Sequence, residues 1–217
     1  MDALATFVLS SAEVKNFGTN WATFWMLGAN FFTFMQAWST WKQIETIRSA
    51  EKAEGISLYF FAFLAGYCFS FIYYGWVHGG LTMVFNGLLG FMFVVVVFYI
   101  VRYRGITKKE LLTLLGVPLM LPIMVLAPQK EIVLFVYLFG IFVFLLDVPL
   151  SIKRDRAVGQ VDIRFTYVFL CVGTFWFAYA LSMKDVPLMI FNPLALLVYI
   201  WTIMLYRKYR KPLTAGV

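Results

Sequence analysis

Charge is scarce in this chain. Asp, Glu, Lys and Arg make up 13% of its 217 residues, about half of the roughly 25% a soluble domain carries, so a water-facing shell cannot be built and a soluble globule is excluded. Cysteine is nearly absent. Cys68 and Cys171 are the two, both inside apolar runs, which rules out a disulfide framework or a paired-cysteine metal motif and leaves them as expected buried packing residues. The single histidine, His78, has no partner ligands, so no metal site is expected. Glycine-rich phosphate loops, HExxH, nucleophile motifs and paired catalytic carboxylates are also missing. An enzyme is left without residues to carry it, and no cofactor is expected.

Apolar residues are what the chain has in abundance: 62% are hydrophobic, against roughly 45–50% in soluble domains. A membrane-crossing helix takes about 20 largely apolar residues, so the chain has room for seven spans and short loops. They are expected at 22–41, 57–77, 81–101, 111–127, 132–150, 165–182 and 188–206. Helix is the default, because a run such as 90–101 is apolar on every side where a barrel strand would alternate. Residues 1–20 lack a basic leader and a cleavage site, so no signal peptide is expected and the segment reads as extramembrane or interfacial.

The basic residues orient the spans, since Lys and Arg gather in cytoplasmic loops. All of the 18 except Lys15, Lys130 and Lys184 fall on one set of connections. That asymmetry predicts an outside N-terminus and an inside C-terminus. It also accounts for the net charge of +7 without nucleic acid, because the charges sit in separate short loops rather than on one exposed face.

Self-comparison finds Met83-Val84-Phe85-Asn86 again as Met189-Ile190-Phe191-Asn192, 106 residues on. The same offset matches Phe71 with Phe177, Tyr73 with Tyr179, and Arg102-Tyr103-Arg104 with Lys208-Tyr209-Arg210. A duplication follows from the shared Asn, Tyr and basic-Tyr-Arg positions. Spans one to three then form one unit and five to seven another, with the fourth, containing Pro118 and Pro122, as a linker. Two triple-helix units joined by a single helix run in the same direction, giving a parallel repeat with a substrate path expected between them. The expected divisions are 1–20 extramembrane, 21–106 first bundle, 107–130 linker, 131–210 second bundle and 211–217 cytoplasmic tail.

Within the spans, polar side chains are rare. Asn86 and Asn192 lie about five residues from the outer ends of spans three and seven, roughly 8 Å deep. Trp176 lies at roughly 9 Å in span six. Amides offer donors and an acceptor without charge, and an indole adds a flat apolar face, which suits a sugar ring with C–H faces and hydroxyl edges. The competing reading makes each Asn a hydrogen-bonding contact between helices. Asp147, near the inner end of span five, is a candidate proton carrier or an interfacial partner of Lys153 and Arg154. Lys184 and Asp185 form either an ion pair closing the outer mouth or a solvated loop pair.

With these residues in view, the chain resembles the SWEET and SemiSWEET sugar transporters within the PQ-loop group, over about residues 22–210. The most specific stretch is Trp176-Phe-Ala-Tyr179-Ala-Leu-Ser-Met-Lys-Asp185-Val-Pro-Leu-Met-Ile-Phe-Asn192, similar to the family's stacking Trp, gate Tyr, outer acid and pocket Asn. In the first unit Ser70, Tyr73 and Asn86 hold the Trp, Tyr and Asn positions. The segment from Gln43 to Glu54-Gly55-Ile56-Ser57-Leu58 is similar to the PQ-loop signature, with Lys42 in place of its Pro. The resemblance implies substrate contacts at Ser70, Asn86, Trp176 and Asn192, an outer gate of Tyr73, Tyr179 and Asp185, and Pro149 as a helix-kinking proline of the inner gate.

The expected function is passive, bidirectional transport of a small neutral substrate, a mono- or disaccharide, by alternating access. The alternatives are proton-coupled transport of an amino acid or other small metabolite through Asp147, and a non-transporting membrane receptor. A carrier should enclose Asn86 and Asn192 between two gates, whereas a receptor should open broadly toward one side. The expected partners are the lipid bilayer and that substrate, in a multi-pass protein of the plasma (inner) membrane. A monomer suffices for a complete path, and a homo-oligomer is also compatible.

Overall fold

The computed structural model describes residues 3–51, 53, 56–156, 158 and 163–210. Lys52, Glu54 and Gly55 of the PQ-loop-like segment, and the tail 211–217, lie outside the described residues. All regular structure among the described residues is helical. Two short helices, α1 (Ala3–Ser10) and α2 (Ala12–Lys15), precede α3 (Trp21–Ala50) and α4 (Leu58–His78). Then come α5 (Leu81–Gly87) and α6 (Leu89–Arg104), which form one broken rod, and α7 (Lys108–Gly116) and α8 (Met120–Leu126), joined by a 3-10 turn. The chain closes with α9 (Lys130–Asp155), α10 (Ile163–Met183) and α11 (Val186–Tyr209).

Six helical stretches are long and apolar enough to cross a membrane: Leu58–His78, Leu81–Arg104, Lys108–Leu126, Lys130–Arg154, Thr166–Met183 and Val186–Tyr209. Large apolar side chains ring the bundle on its outside, among them Phe91, Leu112, Phe139 and Leu197, as a lipid-facing surface requires. The chain is an integral, multi-pass, all-α membrane protein. The expected first span is the exception. At 30 residues α3 reaches about 45 Å and runs about two and a half turns beyond the expected end, but Thr33, Gln36 and Thr40 lower its hydropathy. Their spacing of three and four residues places them on one face, and all three are buried, so the polar stripe points into the protein.

Helix ends are set locally. Asn20 caps α3 by accepting from the Thr23 N–H at 2.9 Å, Ser57 caps α4, and Thr107 with Glu110 forms a reciprocal capping box on α7. Pro118 sits in the 3-10 turn between α7 and α8, where its missing N–H breaks regular helix. The rod α5–α6 breaks at Leu88, directly after Gly87. A Cβ on Gly87 would lie 2.7 Å from the Cys68 carbonyl oxygen of α4, so only glycine permits this approach.

The packing order has a regular pattern. The rod α5–α6 packs on both α3 and α4, and α11 packs on both α9 and α10. Between these two groups α3 meets α10, where the Phe175 ring covers Gly28, and α4 meets α9. The stretch α7–α8 lies against α4 and is tied to α9 by the Tyr137 hydroxyl, which donates to the Met120 carbonyl at 2.7 Å. The basic residues Arg48, Arg102, Arg104, Lys153, Arg154, Arg207 and Lys208 gather at one end of the bundle, in the last turns of α3, α6, α9 and α11. The opposite end carries α1 and α2 and is called the N-terminal mouth below.

Candidate functional site

A cavity of about 100 Å³ lies near mid-height between the helices. Every one of the six long helical elements α3, α4, α5–α6, α9, α10 and α11 lines it, and α7–α8 does not. Its polar groups are Gln36, Asn86, Trp176, Asn192 and the tyrosines Tyr67 and Tyr199. The rest is aliphatic or aromatic, including Phe71, Leu138 and Val172. No Asp, Glu, Lys, Arg or His is among the described residues lining it. A charged ligand would therefore lose its hydration without gaining a counter-charge, which costs several kcal/mol or more.

Each asparagine directly precedes a residue that perturbs regular helix. Asn86 precedes Gly87 at the break in α5–α6, and Asn192 precedes Pro193 inside α11. The Asn86 amide Nδ2 donates to Thr33 Oγ1 at 3.0 Å and to Gln36 Oε1 at 3.3 Å. The Asn192 Nδ2 donates to the Leu188 carbonyl at 2.8 Å. The protein takes both amide hydrogens of Asn86 and one of Asn192, and the Oδ1 acceptors face a ligand, complemented by the second Asn192 hydrogen and by donors on Gln36 and Trp176. The Trp176 indole stands 5.6 Å from the Phe71 ring and 5.3 Å edge-on from Tyr179, centroid to centroid. At about 100 Å³ the cavity has room for a few waters in this conformation.

At the N-terminal mouth the cavity is roofed by hydrogen bonds. The Tyr74 hydroxyl on α4 donates to Asp185 Oδ2 at 2.8 Å, while Asp185 Oδ1 accepts from the Leu188 N–H at 3.0 Å and caps α11. Burial raises the Asp185 pKa above the ordinary carboxylate value, an effect opposed by the Leu188 N–H, the Tyr74 hydroxyl and nearby His78. The Tyr179 hydroxyl on α10 donates to Glu13 Oε1 at 2.7 Å, and the same oxygen accepts from the Thr82 N–H at 3.0 Å. His78 and Glu131 approach to 3.8 Å at the rim.

The structure brings together Asn86, Trp176 and Asn192 in one cavity, with Tyr179 and Asp185 above it. It does not bring the other expected residues there. Ser70 is fully buried, but its hydroxyl donates to the Gly66 carbonyl at 2.9 Å within its own helix, and it is not among the lining residues. Tyr73 is half-buried on another side of α4, with the Lys130 ammonium 5.5 Å from its ring. Successive residues on a helix are turned by about 100°, so Tyr74 reaches Asp185 instead. Asp147 is exposed on the outside of α9, away from the cavity, and Pro149 is buried in α9 without lining it. Asp185 pairs with Tyr74 rather than Lys184. The two cysteines part company: Cys68 lines the cavity, whereas Cys171 is exposed on α10, because a lipid-facing helix surface accommodates a thiol as readily as a core does.

Sequence reading passed over Gln36, Tyr67, Tyr74 and Glu13. The spacing of Thr33, Gln36 and Thr40 was the available signal for the first. Nothing local marks the others.

This geometry defines a membrane-embedded helical bundle with an uncharged cavity between two groups of helices. The chain is similar in fold to a eukaryotic SWEET transporter, with a TM-score of 0.66 and 19% sequence identity over 88% of this chain and 97% of that one. No family model matches the sequence, and no curated protein matches it.

Proposed function

We propose that the chain is a transporter of the SWEET family and carries a small neutral sugar passively, in either direction. The observation that carries this reading is the cavity itself: Asn86, Trp176 and Asn192 meet in one space lined by six helical elements, with no Asp, Glu, Lys, Arg or His among the described lining residues. Hydroxyl groups suit acceptors presented by two amides, and the C–H face of a sugar ring suits an indole. The burial of Asn86 and Asn192, 7% and 5% exposed, supports a carrier over a receptor that opens broadly to one side. The position of Asp147 outside the cavity supports passive over proton-coupled flux.

In this reading α3–α6 and α9–α11 are two parallel triple-helix bundles of a duplicated chain, with α7–α8 as the linker. The mouth carrying the N-terminus faces outside and the basic end faces the cytoplasm. Tyr74, Tyr179 and Asp185 close the outer side, and Pro149 is the bending point toward the inner side. Alternating access then consists of the bundles rocking about the substrate, with the contacts across the mouth broken in one state and re-formed in the other. The test is uptake of radiolabelled glucose or sucrose by proteoliposomes. Trp176→Ala is expected to lower uptake at least tenfold, since an aromatic stacking face in a closed site contributes about 1 kcal/mol beyond its buried area. Uptake of neither sugar by the native chain, or uptake indifferent to this substitution, would sink the proposal.

A further inference from the structure

The second bundle carries its own acid at the mouth, Asp185, and the first bundle does not: 106 residues earlier stands Gly79. That position is not idle. The Gly79 carbonyl accepts from the Ala12 N–H at 3.1 Å, and Phe7 of α1 stacks on Trp76 at 4.1 Å. These two contacts dock the N-terminal segment on the end of α4. The next residue, Glu13, is thereby carried to the place that an acid at Gly79 would serve.

Its bonds repeat those of Asp185. Asp185 accepts from the N–H of Leu188, in the first turn of α11, and Glu13 accepts from the N–H of Thr82, in the first turn of α5. Leu188 and Thr82 are themselves 106 residues apart. Asp185 then accepts a hydroxyl from Tyr74 in the opposite helix group, and Glu13 accepts one from Tyr179 in the opposite helix group. The tyrosines are one step out of register, since Tyr73 is the counterpart of Tyr179, but the bonding scheme is the same. Each carboxylate joins the start of the third helical element of one group to the second helix of the other.

We infer that Glu13 is a second outer-gate residue, and that the N-terminal segment is a working part of the gate rather than a leader or interfacial anchor. The inference rests on the carrier reading above. Two latches tie the mouth, one built into the chain between α10 and α11 and one supplied by α2. Opening the mouth separates Tyr179 from Glu13 and Tyr74 from Asp185 together. Glu13 also shows what favours release: it is 6% exposed, and its Oε2 is buried without a hydrogen-bond partner. A carboxylate oxygen left without a partner gains hydration when the mouth opens. That gain offsets part of the bonds lost at Oε1, so the latch holds without locking.

The native Cys68 supplies a reporter, since it lines the cavity and is 2% exposed. In Cys171→Ser protein the exposed thiol is gone. A membrane-impermeant thiol reagent, confined to the side that bears residues 3–20, then modifies Cys68 only through an open outer mouth. Glu13→Gln keeps the shape and removes the charge, and Tyr179→Phe removes only the hydroxyl. A charge-assisted hydrogen bond is roughly twice as strong as a neutral one, so each substitution is expected to raise the labelling rate about tenfold, as Asp185→Asn does. Glu13→Gln and Tyr179→Phe combined should be no faster than either alone, because both act on one bond. Glu13→Gln combined with Asp185→Asn should multiply. Unchanged labelling in both Glu13→Gln and Tyr179→Phe, with Asp185→Asn faster, would overturn the inference while leaving the carrier reading intact. No labelling in any variant, together with no sugar uptake, would remove the carrier reading and this inference with it.

Discussion

Asn86 and Asn192 occupy matching positions in sequence yet are held by different partners, and this predicts a split between stability and transport. Asn192→Ala removes one side-chain donor from the Leu188 carbonyl, a group that helix geometry also pairs with the Asn192 backbone amide. No acceptor is orphaned, and the expected loss is about 1 kcal/mol or less. Asn86→Ala strips the hydrogens from both Thr33 Oγ1 and Gln36 Oε1, on residues that are 2% and 8% exposed. Leaving a buried acceptor unpaired costs about 1–3 kcal/mol, so the two together should cost about 2–6 kcal/mol. At roughly 2–4 °C per kcal/mol for a chain of this size, Asn86→Ala should lower the unfolding midpoint by about 4–24 °C and Asn192→Ala by less than about 4 °C. Both variants lose one acceptor facing the cavity. A neutral hydrogen bond worth about 1 kcal/mol corresponds to about fivefold in affinity, so both should weaken the concentration dependence of sugar uptake to a similar degree. Thermal unfolding of the purified protein in detergent, paired with uptake at graded sugar concentrations, reads the two effects separately. Equal midpoints would refute the assignment of Asn86 as the hub of Thr33 and Gln36. Undiminished affinity in both would remove the cavity as the substrate site.

Two further outcomes follow from the geometry. Gly87→Ala places a Cβ 2.4 Å from Ile72 Cγ1 and 2.7 Å from the Cys68 carbonyl oxygen, and should destabilise by about 1–3 kcal/mol; Gly116→Ala, which meets nothing within 4 Å, is the matched control, and equal midpoints for the two would contradict the packing. Tyr74→Phe should speed Cys68 labelling from the N-terminal side as Asp185→Asn does, whereas Tyr73→Phe should leave it unchanged, and the reverse ranking would restore Tyr73 as the gate residue.

How far the chain could be read before its structure was known depends on which coordinate of a side chain is asked for. Depth along a span was legible, because helix rise converts residue number to distance. Asn86, Trp176 and Asn192 were expected at similar depth, and they do line one cavity. Rotation about the helix axis was not legible. In a soluble helix the polar face declares itself, but α4 and α10 are apolar almost all round, and nothing in Tyr73-Tyr74 says which ring faces Asp185. The same blindness put Ser70 in the cavity, when it turns into its own helix, and buried Cys171, when it faces outward. Where a span does carry several polar residues the phase returns, and Thr33, Gln36 and Thr40 on α3 declared the inward face that held Gln36.

The internal repeat helped and misled for one physical reason. Correspondence at 106 residues carries over backbone position, and Thr82 and Leu188 present their N–H groups to carboxylates in the same way. It does not carry over side-chain chemistry. Transfer from Tyr179 selected Tyr73, one residue from the ring that bonds Asp185, and transfer from Asp185 selected a glycine. The missing carboxylate comes instead from residue 13, outside both repeats, and no comparison of the repeats with each other could have found it. What located it was the hydrogen-bond account at the mouth. The first turn of α11 is capped by an acid, the equivalent turn of α5 begins at Gly80 with no side chain to cap it, and the Thr82 amide is buried. A buried amide at a helix start requires an acceptor, and Glu13, buried beside it, is that acceptor.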